Sequence, residues 1–88
     1  MTVASVAGMK LRAEVTTEPF KGEGDLPGHV TAAAEALRAH GLKPDLGPLG
    51  TAVEGDADTV TTAIRDAARA ALSAGATRVS VQIERIDD

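Results

Sequence analysis

Two alternating stretches, one near each end of the chain, enclose two stripes of helical spacing. In KLRAEVTTEP, residues 10–19, Leu11, Ala13 and Val15 fall on one face and Arg12, Glu14 and Thr16 on the other. In TRVSVQIERI, residues 77–86, Val79, Val81 and Ile83 oppose Ser80, Gln82 and Glu84. A period of two marks strands with one face buried. Between them, Leu26, Val30, Ala33, Ala34 and Leu37 recur at helical spacing, as do Val60, Ala63, Ile64, Ala67, Ala68 and Ala71. These are two amphipathic helices. A strand and a helix at the front, and a helix and a strand at the back, leave little freedom for what lies between.

Punctuation sets the expected boundaries. The first helix is expected over Leu26–His40, with Asp25 as N-cap, Pro27 in the first turn and Gly41 just past its end. LKPDLG, residues 42–47, reads as a short strand. Pro44 removes a ladder donor and assigns it to a sheet edge. GPLG is a turn, and Thr51–Glu54 a third strand that completes a hairpin. Asp56 caps the second helix, over Ala57–Ala74, and Gly75 ends it. The order βαββαβ, with right-handed crossovers, gives an α+β ferredoxin-like sandwich. Its antiparallel sheet has the order 4-1-3-2, with both helices on one face.

The chain has 88 residues, enough for one domain over residues 10–88, with residues 1–9 as a loose tail and Met9 as an alternative start. A chain of this size buries only about 60% of its unfolded surface. Its core is drawn from small aliphatic side chains, since it has one Phe and no Tyr or Trp. Self-association would bury more surface and add stability. A net charge of −4 argues against nucleic acid or an anionic membrane as partner. It suits a cationic small molecule. With no cysteine there is no disulfide, thiolate metal site or cysteine nucleophile. No apolar run reaches the roughly 20 residues that span a bilayer, and the start lacks a signal peptide's basic region. The cytoplasm is the expected location.

The helices cover one sheet face. The other carries Arg12, Glu14 and Thr16 from the first strand and Ser80, Gln82 and Glu84 from the last, which are neighbours in the expected order. Such a face is either solvated, or a wet contact between subunits, or a ligand platform. In the last case Glu14 and Gln82 are the hydrogen-bonding pair for a flat heterocycle: a carboxylate accepts from a ring or exocyclic N–H, and an amide donates and accepts at once. The third strand has two possible orientations. If Val53 faces the helices, so does Thr51, and Glu54 joins the open face. If Ala52 faces the helices, Thr51 and Val53 line the open face. Of the carboxylates in VEGDAD, Asp56 and Asp58 serve the start of the second helix, and the calcium-loop pattern is incomplete. His29 and His40, at opposite ends of one helix and about 16 Å apart, share no metal. His40 suits a helix C-terminus, and His29 reads as a surface residue. Arg65, Asp66 and Arg69 read as a solvated helix surface, and FKGEGDLPG, residues 20–28, as a loop with the character of a lid. No hydrolase, zinc-protease or phosphate-loop motif occurs. An acylphosphatase-like enzyme would need an Arg in the loop after the first strand, which has only Lys21.

Taken together, AEVTTEP, GLKPDLGPLGTAVEGD and AGATRVSVQIERIDD resemble the thiamine-binding, YkoF-like protein family of the single-domain kind, over residues 10–88. The block GLKxxLGPxGTxVEGD is the most specific part. The resemblance implies a ferredoxin-like fold, homodimers or homotetramers built through the sheets, and binding of thiamine or its hydroxymethylpyrimidine part. It implies no catalysis; no cofactor and no metal are expected. The matching positions for ligand contact are Glu14, Thr51, Glu54 and Gln82. Aromatic stacking on the ligand would have to use Phe20; otherwise Leu49, another aliphatic face or a partner subunit must supply the wall. The alternative is a homo-oligomerising domain, structural or regulatory, that takes no small ligand.

Overall fold

A computed structural model describes residues 5–19, 24–48 and 50–87. Along the chain run β1 (Lys10–Glu18), α1 (Gly28–Ala39), β2 (Asp45–Leu46), β3 (Thr51–Asp56), α2 (Ala57–Ser73) and β4 (Arg78–Arg85). The strands form one antiparallel sheet of order β2-β3-β1-β4, the expected 4-1-3-2 read from the other edge. Both helices lie on the face that buries Leu11, Ala13 and Val15.

Three elements depart by more than one residue from the sequence expectation, each for a local reason. Helix α1 starts at Gly28, with Pro27 rather than Asp25 in the N-cap position and no side-chain cap. The residue before a proline is steered out of the helical region. Leu26 therefore stays outside the helix, 60% exposed, while the Pro27 carbonyl accepts from the Val30 and Thr31 amides. Strand β2 shrinks to Asp45 and Leu46, paired with Ala52 and Thr51, directly after Pro44. Strand β3 runs on to Asp56, because its pairing with β1 continues to Lys10.

Asp56 caps α2 as expected, its carboxylate accepting from the Thr59 amide at 3.1 Å. Both helices end in the same device. The Gly41 and Gly75 amides donate to the Arg38 and Leu72 carbonyls, and the next residues, Leu42 and Ala76, donate back to Leu37 and Ala71. Gly41 and Gly75 supply the positive φ, +80° and +107°, that this double closure requires. Leu42 and Ala76 then fold against the core.

The core is small and alanine-rich. Leu37, Val53 and Val60 are its largest fully buried members, and Ala33, Ala63, Ala67 and Ala71 let the helices and sheet approach closely. Gly55 belongs to this economy: a Cβ there would meet Leu42 at 3.1 Å and Val60 at 3.4 Å. Of the expected tail, residues 1–4 lie outside the described residues. Met9 packs against the core, and its carbonyl accepts from the Ala57 amide at 3.0 Å.

His29 corrects the sequence reading. It is 5% exposed, not on the surface. Its Nε2 donates to the Pro19 carbonyl at 3.1 Å, which leaves Nδ1 to accept from the Thr17 hydroxyl at 2.6 Å. The imidazole thereby ties the start of α1 to the end of β1. His40 does close α1, and its Nε2 also bonds the Asp66 carboxylate at 2.7 Å. Asp66, read as solvated surface, is thus a strut between the helices. The bonds from His40 and then from Arg65 hold its carboxyl below the usual carboxylate range.

Candidate functional site

The site is built by register. Side chains directly opposite on paired strands share a face. On the face without helices, Arg12 on β1 stands between Glu54 on β3 and Glu84 on β4. One step along, Glu14 stands between Ala52 and Gln82, with Asp45 of β2 beyond Ala52. A third step pairs Thr16 with Ser80. The face is therefore a grid of rows, acidic at its margins and with a guanidinium inside.

The two orientations left open for the third strand are resolved by burial. Thr51 and Val53 point under the helices, 4% and 2% exposed, and Glu54 lies on the open face. The structure thus brings together Glu14, Glu54 and Gln82, and places the Thr51 side chain on the opposite face. Glu14 is half-buried between its neighbours, while Glu54 and Gln82 are exposed.

Two adjoining depressions share Arg12. The larger, about 550 Å³, is bounded by Arg12, Leu42, Lys43, Asp45, Ala52 and Glu54. The smaller, about 260 Å³, is bounded by Arg12, Glu14, Gln82, Ile83 and Glu84. Among the described residues, no ion pair engages Arg12, Glu14, Glu54 or Glu84. These groups stand ready for an outside partner. Arg12 and Glu84 were read from the sequence as members of this face but not as site residues. The signal was available, since a row containing Glu54, Arg12 and Glu84 follows once the strands are in register.

The GPLG turn reaches into the site. Gly47 donates to the Gly50 carbonyl at 2.8 Å, closing the turn. Gly50 lies so close to β1 that a Cβ there would meet Thr16 Oγ1 at 2.9 Å and Glu14 Cγ at 3.1 Å. The turn glycine is what lets the hairpin lie against Glu14. Phe20, Lys21 and Leu49, named from the sequence as stacking partners or as part of a lid, lie outside the described residues.

Chemically, a carboxylate and an amide side by side on a flat strand pair offer an acceptor next to a donor–acceptor. This complements the edge of an aminated nitrogen heterocycle. The surrounding carboxylates favour a ligand of positive charge. No helix among the described residues is long and apolar enough to cross a membrane.

Solved structures share this architecture. A domain of unknown function from Bacillus cereus superposes with a TM-score of 0.68 at 21% identity, over 97% of this chain and 82% of that one. A hypothetical protein from Methanocaldococcus jannascii gives 0.66 at 26%, over 90% and 80%. A candidate thiamine biosynthesis/salvage protein from Thermotoga maritima gives 0.63 at 24%, over 90% and 84%. No match was found among curated proteins. A family model described as thiamine-binding protein matches residues 13–88, from within β1 past the end of β4, and so takes in Glu14, Glu54 and Gln82 but not Arg12. This chain belongs to the thiamine-binding protein family.

Proposed function

We propose that the chain is a cytoplasmic, non-enzymatic binding module that holds thiamine, or its hydroxymethylpyrimidine part, on the open sheet face where copies of the chain meet. Family membership supports a small-molecule role. The observation that carries the reading further is the pairing of Glu14 with Gln82 on the uncovered face. In this reading Glu14 accepts from the aminopyrimidine, Gln82 fixes the ring's orientation, and Glu54 contributes charge that suits thiamine's cationic ring. Thr51 acts from below: paired with Val15 and Leu46, it anchors the start of β3 and so sets Ala52 and Glu54 on the face.

Calorimetric titration tests this, with thiamine and with hydroxymethylpyrimidine, on wild type and Glu14→Ala. Saturable heat from wild type, weakened at least tenfold in the variant, is expected from the loss of a hydrogen bond to a charged group, about 1.5–3 kcal/mol. No heat at millimolar ligand from wild type would overturn the reading. A second reading, an assembly domain that takes no ligand, draws on Val81 and Ile83, which are 38% and 46% exposed on β4. It predicts oligomers whose thermal stability no heterocycle shifts.

A further inference from the structure

The larger depression on the open face carries both signs of charge. Arg12 and Lys43 line it as cations and Asp45 and Glu54 as carboxylates, with Leu42 and Ala52 as its apolar part. Its volume, about 550 Å³, lies in the range of small-molecule pockets. Among the described residues, no ion pair joins any of these four charged groups to another or to a third residue. Cations and carboxylates are thus held around one cavity without neutralising each other.

Local structure fixes their places. Arg12 is opposite Glu54 across β1 and β3, and Asp45 is opposite Ala52 across β2 and β3. Ala52, small and set between Asp45 and Glu14, leaves the floor of the depression open. Lys43 precedes Asp45 by two residues and so comes level with Glu54, two beyond Ala52. It is held from both sides: Leu42 packs against the core, and Pro44 restricts Lys43 to extended backbone. Arg12 also lines the smaller depression, with Glu14 and Gln82. The guanidinium therefore stands at the border between the two.

A ligand whose pyrimidine lies against Glu14 and Gln82 passes Arg12 to enter the larger depression. Thiamine would bring only its cationic ring there. Asp45 and Glu54 answer that charge, whereas Arg12 and Lys43 face it as like charges. A tail that joins a cation to an anion answers all four. Guanidinium offers a fork that matches phosphate, and ammonium binds phosphate as a point charge. We infer that the ligand is the phosphate monoester of the cationic heterocycle, with its phosphate held by Arg12 and Lys43 in the larger depression. This rests on the place proposed above for the pyrimidine, and adds how the ligand ends. The chain as a whole, at a net charge of −4, repels an anion. A preference for the ester over thiamine therefore has to come from cations gathered at the site.

Calorimetric titration of thiamine and of thiamine monophosphate is the test, and the ratio of the two affinities is the readout. In wild type the ester is expected to bind about tenfold more tightly, the scale of one charge-assisted hydrogen bond. Lys43→Gln is expected to lower that ratio about threefold or more, and Lys43→Arg, which keeps the charge, to preserve most of it. Arg12→Gln is expected to lower it likewise; should that central-strand variant not fold, the two Lys43 variants decide. Glu14→Ala, which acts on the shared pyrimidine, should weaken both ligands together. Thiamine binding with no preference for the ester, or a preference that survives Lys43→Gln, overturns the inference and leaves the proposed thiamine site standing. A wild type that binds neither ligand overturns both.

Discussion

Glu14 of β1 and Gln82 of β4 stand directly opposite each other, on the sheet face that no helix covers. Glu14 is half-buried by its neighbours while Gln82 is exposed. A carboxylate held in a partly shielded position beside an amide discriminates between ligands by their donor pattern. Gln82→Glu keeps the size and removes the donor, so it should weaken hydroxymethylpyrimidine binding by about tenfold or more. Gln82→Asn, which keeps both functions on a shorter stem, should lose less. Calorimetry on the pair separates hydrogen-bond pattern from simple packing.

Gly50 makes a second prediction. A methyl group there meets Thr16 Oγ1 and Glu14 Cγ, one a side chain fixed on the central strand and the other the stem of the candidate ligand carboxylate. Gly50→Ala should cost about 1–3 kcal/mol in denaturant unfolding, as overpacked sites do. It should also weaken ligand binding, because the displaced side chain is Glu14. Gly47→Ala, whose nearest contact is the ordinary 3.4 Å to the Gly50 carbonyl, should cost less in both respects.

His29 carries a third. Its ring satisfies the buried Thr17 hydroxyl and the Pro19 carbonyl together. His29→Leu keeps the bulk and strands both partners, so about 1–3 kcal/mol of stability should be lost. The double change His29→Leu with Thr17→Val removes the orphaned hydroxyl and should recover part of that loss. Urea unfolding of the two variants checks the order.

The response to acid is the fourth. Arg85, and then the Lys10 amide, lower the Asp87 carboxyl to about 2, and bonds from the Thr59 amide and from His40 lower Asp56 and Asp66. A carboxyl whose folded pKa lies below its unfolded value contributes stability above the unfolded value. That contribution is lost as pH falls through the folded one. The melting temperature should therefore hold above about pH 5 and decline toward about pH 2. Asp87→Asn should flatten that decline, and added salt should shrink it, because none of these groups is buried.

Most of the fold was legible because its elements announce themselves locally. Alternation in β1 and β4 and the alanine stripe of α2 predicted three elements almost to the residue. The orientation of β3 was not legible. Its first residues, Thr51, Ala52 and Val53, are small and tolerable on either face, so only pairing with Val15 and Ala13, distant in sequence, decides. The buried state of His29 had a local signal. It lies four residues before Ala33 and eight before Leu37, on the stripe itself, and Thr17 continues the buried alternation of β1. The start of α1 was misread because Asp25 is a good cap in isolation, whereas Pro27 forbids a helical Leu26.

Strand β1 bonds β3 through its odd-numbered residues and β4 through its even-numbered ones. Its odd side chains also fill the core, and its even ones build the open face. Four separate requirements are thus written in two interleaved alphabets of a nine-residue segment. A single residue inserted within β1 would exchange all four at once, sending Arg12 and Glu14 under the helices and Leu11 and Ala13 to water. Unless a β-bulge absorbs it, a one-residue change of length in this strand disturbs the core, both ladders and the open face together.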